Sequence, residues 1–208
     1  MDRLRVKICG ITTPEDAVAA AEAGADAIGL VFAESPRRVT PARARAILAA
    51  LPPFVTPVAL FVNSPVEVIR ELCGSLGVRT VQLHGDEPPD LARHLAGFSV
   101  IKAFRIESAA DVAALRGYPA AAYLLDSRVE GRRGGTGVAF DWRLAASATR
   151  HGPIILAGGL TPENVAEAVR TVRPYGVDTS SGVEREPGRK DPAKVRAFVA
   201  AARAANAE

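Results

Sequence analysis

VKICGITTPEDAVAAAEAGADAIGLVF, Val6 to Phe32, holds one complete structural unit. Two short apolar runs, VKIC and AIGLVF, flank a longer segment rich in Ala and Glu. The runs are mostly non-alternating, which suits strands of a parallel sheet covered by helices. Thr13-Pro14 opens the intervening segment, which has helical periodicity. A threonine there accepts an orphan amide bond at a helix start, and proline tolerates the first helical position.

Outward from this unit the pattern repeats. PVALFV, TVQL, VIKAF, AYLLD, PIILA and the weaker GVD read as further strands. Thr40-Pro41, Ser64-Pro65, Thr161-Pro162 and Asp191-Pro192 each place a capping residue before a proline, and Glu87-Pro88 is a weaker version. The starts at 13, 40, 64 and 87 lie 27, 24 and 23 residues apart, the length of one strand plus one helix. Eight such units fill 208 residues at 26 each. The expected fold is α/β, a single (β/α)8 barrel domain over residues 1–208, at the short end of that architecture's range. An open doubly wound sheet is the alternative, normally with fewer strands. No linker or break in composition divides the chain.

Composition narrows the classes of function. Hydrophobic residues make up 48% and charged residues 24%, the balance of a globular domain. The formal net charge is only +3, and the arginines cluster in pairs, not in a stripe for nucleic acid. No apolar run reaches membrane-spanning length, and the start MDRLRVK does not resemble a signal peptide. Two cysteines, Cys9 and Cys73, give no disulfide framework. These features predict a cytoplasmic protein with reduced thiols. They point to no nucleic-acid, membrane or obligate protein partner.

In a barrel the chemistry sits where strands end. Cys9 ends the first strand. It is either a small buried hydrophobe or a base or nucleophile at the barrel mouth. Lys7 shares its face, and a cation one step below is expected to lower the thiol pKa. Cys73 reads as a core thiol. Asp126 ends AYLLD, where partial desolvation favours the protonated acid; otherwise it caps a turn. Acid and base on different strands facing one mouth make the simplest acid–base pair. Gly158 and Gly159 after the seventh strand, and Ser180, Ser181 and Gly182 after the eighth, are the phosphate candidates. Arg37 or Arg38 can clamp a carboxylate or a phosphate. Gln82 and His84 end the fourth strand, and Asp178 either orients the site or caps a turn. GRRGGTG at 131–137, with Gly135, fits neither a dinucleotide fingerprint nor a P-loop; it reads as a mobile active-site loop or else a plain flexible connection. No set of residues has metal-ligand spacing.

KICGIT at 7–12, VQLHG at 81–85, LLDS at 124–127, GGTG at 134–137, FDW at 140–142, LAGGL at 156–160 and DTSSG at 178–182 resemble the phosphoribosylanthranilate isomerases of tryptophan biosynthesis. The resemblance runs in order over nearly the whole chain. It implies an Amadori rearrangement of N-(5′-phosphoribosyl)anthranilate to 1-(2-carboxyphenylamino)-1-deoxyribulose 5-phosphate. By that resemblance Asp126 is the general acid, Cys9 the general base, and Arg37 the contact for the anthranilate carboxylate. Lys7, Gln82, His84, Gly135 and Asp178 join the two phosphate loops as substrate-binding positions. No cofactor is implied, because an internal proton shuffle needs none. Two other readings stand beside it. A lyase or aldolase on the same barrel would use a lysine, with Lys102 in VIKAF the candidate. A non-catalytic barrel would bind a phosphorylated ligand and tolerate Cys9→Ala.

Overall fold

The computed structural model describes residues 3–126 and 142–207. Its elements run β1 (Arg5–Ile8), α1 (Pro14–Glu22), β2 (Ala27–Val31), α2 (Pro41–Ala50), β3 (Thr56–Phe61), α3 (Val66–Leu76), β4 (Thr80–Leu83), α4 (Pro89–Arg93), β5 (Ser99–Arg105), α5 (Ala109–Ala114), β6 (Ala122–Asp126), α6 (Trp142–Ala148), β7 (Ile154–Leu156), α7 (Val165–Val172), β8 (Gly176–Thr179), β9 (Glu184–Glu186), β10 (Arg189–Lys190) and α8 (Pro192–Asn206). Strands β1 to β8 are parallel neighbours in sequence order, and β8 closes onto β1. The sheet is a closed (β/α)8 barrel, so the open-sheet alternative is excluded. β9 and β10 form a small antiparallel hairpin beyond β8.

Alternation along each strand sorts the side chains into two cores. Val6, Ile8, Ile28, Leu30, Phe61 and Leu83 point outward and pack with helix residues such as Ala17, Ile47, Ile69 and Phe198. Val58, Ile101, Ala103, Ala122, Leu124 and Ile155 fill the barrel interior. Above them Cys9, Val31 and Leu60 form a small separate cluster. The interior is thus plugged with aliphatic side chains, and the polar residues one step further along each strand are lifted to the C-terminal mouth.

The cap-and-proline pattern holds at three helices. Thr13 accepts from the Asp16 amide, Thr40 from the Arg43 amide, and Asp191 from the amides of Ala193 and Lys194. It fails at three others. Ser64 does not cap α3; Pro65 holds the cap position without a side-chain bond. Thr161-Pro162 forms a separate turn, and α7 begins after Asn164, whose Oδ1 accepts from the Thr161 amide. Glu87 turns its carboxylate inward, so Pro88 precedes α4 without a side-chain cap. Among the described residues no helix is long and apolar enough to cross a membrane.

Candidate active site

A cavity of about 240 Å³ opens at the C-terminal mouth. Most of the polar residues read from the sequence meet there. Its wall takes Cys9 from the end of β1, Arg37 from the loop after β2, Gln82 and His84 from β4, and Asp126 from β6. Gly158 and Gly159 follow β7; Asp178, Ser180, Ser181 and Gly182 complete the ring on and after β8. Lys7 does not reach this wall. It lines a larger hollow, about 530 Å³, at the opposite mouth, which gathers none of the other predicted residues. Gly135 and the rest of the 131–137 loop lie outside the described residues.

Beneath Cys9, Lys7 donates to Asp178 Oδ1 at 3.0 Å, and both side chains are buried. Barrel closure makes this pair, because Lys7 and Asp178 are register partners of β1 and β8. Burial pushes the Lys7 amine down, but Asp178 and the Cys9 sulfur outweigh it and hold the amine above its ordinary 10.5. The expected fall in the thiol pKa does not occur. Burial drives Cys9 above its ordinary 9.0, Lys7 offsets only part of that, and Asp178 adds to the rise. Alternation identified the neighbouring cation correctly; it did not measure how little water reaches the sulfur.

Cys9 sits where it does because Gly29 of β2 has no side chain. A Cβ there would lie 2.6 Å from the sulfur. Across the mouth, Asp126 is only partly exposed, and His84 Nε2 lies 3.4 Å from its Oδ2. The Gln82 amide nitrogen is 2.8 Å from His84 Nδ1. With the amide oriented so that it donates to Nδ1, the ring carries its hydrogen at Nε2, facing the carboxylate. Gln82 is fully buried.

The loops after β7 and β8 are stitched together. Thr179 Oγ1 donates to the Leu160 carbonyl at 2.7 Å, and Gly182 packs so tightly on that carbonyl that no side chain fits. Gly158 and Gly159 both take left-handed φ, +79° and +69°, which favours glycine. The Ser180 hydroxyl is buried on this wall and has no hydrogen-bond partner among the described residues.

This geometry has close counterparts. The family described as N-(5′-phosphoribosyl)anthranilate (PRA) isomerase matches residues 6–201. The chain is 53% identical over 202 residues to the N-(5′-phosphoribosyl)anthranilate isomerase of Geobacter metallireducens, covering 97% of this chain and all of that one. It superposes with a TM-score of 0.89 on the crystal structure of phosphoribosyl anthranilate isomerase from Thermotoga maritima, at 43% identity over 97% of this chain and 99% of that one. A structure of such an isomerase in complex with reduced 1-(o-carboxyphenylamino)-1-deoxyribulose 5-phosphate matches at TM-score 0.86 and 42% identity, with 97% and 99% coverage.

The chain belongs to the N-(5′-phosphoribosyl)anthranilate isomerase family.

In this isomerase Arg37, not Arg38, faces the cavity; Arg38 is exposed. Its partner is a residue the sequence analysis did not single out. Glu184 accepts from Arg37 Nε at 2.8 Å and from Nη2 at 2.6 Å. The same carboxylate accepts from Lys190 Nζ at 2.9 Å, and Lys190 also donates to the Ser180 carbonyl at 3.0 Å. Burial pushes Glu184 up, but Arg37 and Lys190 pull it below its ordinary range. Burial lowers the Lys190 amine, and Glu184 restores only part of the fall. GVEREPGRK, charged residues on both sides of a Pro-Gly turn, was the available sign of this hairpin.

Lys102 is turned away from the chemistry. On β5 it shares the outward face with Val100 and Phe104, and its Nζ donates to Glu87 at 2.8 Å and to the Gly85 carbonyl. Glu87 in turn accepts from the amides of Asn63 and Gly85. A Schiff-base aldolase needs its lysine in the cavity, so this placement removes the lyase reading. The pair instead clamps the turn that follows His84. Glu87 was legible only as a weak helix cap, and Gly29 only as a glycine interrupting an apolar strand, a mark of close backbone approach.

Proposed function

We propose that this isomerase rearranges its substrate by acid–base catalysis between Asp126 and Cys9. The reaction is the family's: N-(5′-phosphoribosyl)anthranilate becomes 1-(2-carboxyphenylamino)-1-deoxyribulose 5-phosphate, a step of tryptophan biosynthesis. The observation that carries the assignment is the placing of one acid and one thiol on separate strands, β6 and β1, around a single cavity.

Asp126 gives a proton to the ribose ring oxygen. The C1′–O bond breaks as the anthranilate nitrogen lone pair moves in, leaving a protonated Schiff base. The Cys9 thiolate removes the C2′ proton, and those electrons flow toward the imine to form an enolamine. Tautomerisation gives the ketone. His84, with its Nε2 hydrogen toward Asp126, stabilises the carboxylate left after proton donation. Lys7 favours the thiolate from below.

Arg37 binds the anthranilate carboxylate. The phosphate lies between the stitched loops after β7 and β8, where the Ser180 hydroxyl and loop amides donate. Free, buried thiols at Cys9 and Cys73 accord with a reducing cytoplasmic setting.

The test follows the fluorescence of freshly generated N-(5′-phosphoribosyl)anthranilate with wild type, Cys9→Ala and Asp126→Asn. Each variant should lose at least about 100-fold in turnover while still binding reduced 1-(o-carboxyphenylamino)-1-deoxyribulose 5-phosphate. Unchanged turnover in either variant sinks the acid–base assignment.

A further inference from the structure

Arg37 lines the cavity, but Glu184 and Lys190 do not; they hold it from behind. A guanidinium carries five N–H donors in a rigid fork. Glu184 takes the Nε hydrogen and one Nη2 hydrogen. Nη1 and the second Nη2 hydrogen remain, and they form the other two-donor edge. Among the described residues that edge has no partner. Gly10 fixes the stem as well. Its φ is +72°, and a Cβ there would lie 2.5 Å from Arg37 Cδ, so the methylene chain lies flat across the turn after Cys9.

The charges matter as much as the directions. Arg37 and Glu184 alone sum to zero, and a neutral pair has little attraction for an anion. Lys190 is 1% exposed and adds its ammonium to the same carboxylate, which returns the cluster to one net positive charge. Its second bond, to the Ser180 carbonyl, ties that charge to the loop after β8. Buried charges persist only when paired, so a lysine this deep requires the Glu184 carboxylate.

We propose that Lys190, acting through Glu184, is a positioning residue that sets the charge and aim of the Arg37 fork, and so makes the site selective for a ligand bearing an aromatic carboxylate. The proposal rests on the reading of Arg37 given above. It deepens that reading by assigning selectivity to two residues that do not line the cavity.

The experiment compares two ligands by calorimetry. One is reduced 1-(o-carboxyphenylamino)-1-deoxyribulose 5-phosphate; the other is the same compound with phenyl in place of carboxyphenyl. Wild type should prefer the carboxylate by about tenfold or more, the scale of charge-assisted hydrogen bonds. Lys190→Gln keeps a donor for the Ser180 carbonyl and the Glu184 carboxylate but removes the charge. It should lose about tenfold on the carboxylate ligand and less than about twofold on the other. Its KM should rise in step, and kcat should fall by a smaller factor, because the ammonium also favours the Cys9 thiolate. Lys190→Met repeats the comparison if the glutamine variant does not accumulate as folded protein. Equal losses on both ligands would mean a structural role only, and no loss on either would mean none; both overturn the proposal. Equal binding of the two ligands by wild type would remove Arg37 as the carboxylate contact, and that result is read without any variant.

Discussion

Gly29 on β2 and Cys9 at the end of β1 are fitted to each other: the space a Cβ would occupy on the glycine is taken by the sulfur. Gly29→Ala forces a contact of 2.6 Å in a buried site, so the thiol or the strand must shift. The expected cost is about 1–3 kcal/mol of stability, with at least about a tenfold fall in kcat because the base is displaced. Thermal unfolding and turnover of the variant check this; wild-type activity at lowered stability would show that the thiol's position is not critical.

The raised thiol pKa makes a prediction about pH. A base works in its deprotonated form, and burial holds Cys9 protonated above its ordinary 9.0. The thiolate itself should therefore form mainly above pH 9. Its ultraviolet absorbance, taken as wild type minus Cys9→Ala, follows this directly. A midpoint below the ordinary 9.0 would contradict the environment described for Cys9.

Glu87 and Lys102 form another buried pair, with side chains 1% and 5% exposed. Removing one partner strands the other charge, so Lys102→Met should cost about 3–5 kcal/mol. Measurement is by chemical denaturation. A loss below about 1 kcal/mol would show that the clamp contributes little to the fold.

The same pair predicts the acid limb of stability. Burial raises Glu87, but the Lys102 hydrogen bond and the backbone amides bring it below the ordinary 4.5. A depressed acid contributes stability that is complete above its unfolded pKa and is lost as pH falls through the folded value. Below pH 4.5, wild-type stability should fall more steeply than that of Glu87→Gln. Parallel pH profiles would show that Glu87 is not depressed.

Lys102 also gives a labelling test. Borohydride reduction in the presence of a sugar phosphate should leave it unmodified, because its amine faces the helix layer and not the cavity. A covalent adduct at Lys102, found by peptide mapping, would reopen the aldolase reading.

The strands were legible because each is a short apolar run, and three helix starts because Thr13, Thr40 and Asp191 cap locally. Ser64 and Thr161 looked equivalent and Glu87 a weaker version, yet Glu87 and Thr161 serve loop contacts that local sequence does not encode. The residues around the cavity were legible by position, since strand ends in a barrel converge. Their pairing was not. Arg37 and Glu184 are 147 residues apart, and a glutamate beside a Pro-Gly turn reads as a solvated side chain until the hairpin folds it inward. The Cys9 environment was misread in sign for a related reason: alternation names a neighbour, while desolvation depends on every element that closes over it.

The Lys7–Asp178 pair joins residues 171 positions apart, from the first strand of the barrel to the eighth. On the ribosome the strand that carries the thiol emerges early, and the carboxylate that neutralises its lysine emerges only near the end of synthesis. No shorter nascent chain can assemble the mouth of the barrel. A truncation before Asp178 deletes the partner of a buried ammonium along with the closing strand, so the enzyme gains its catalytic centre and its closed wall in one late event.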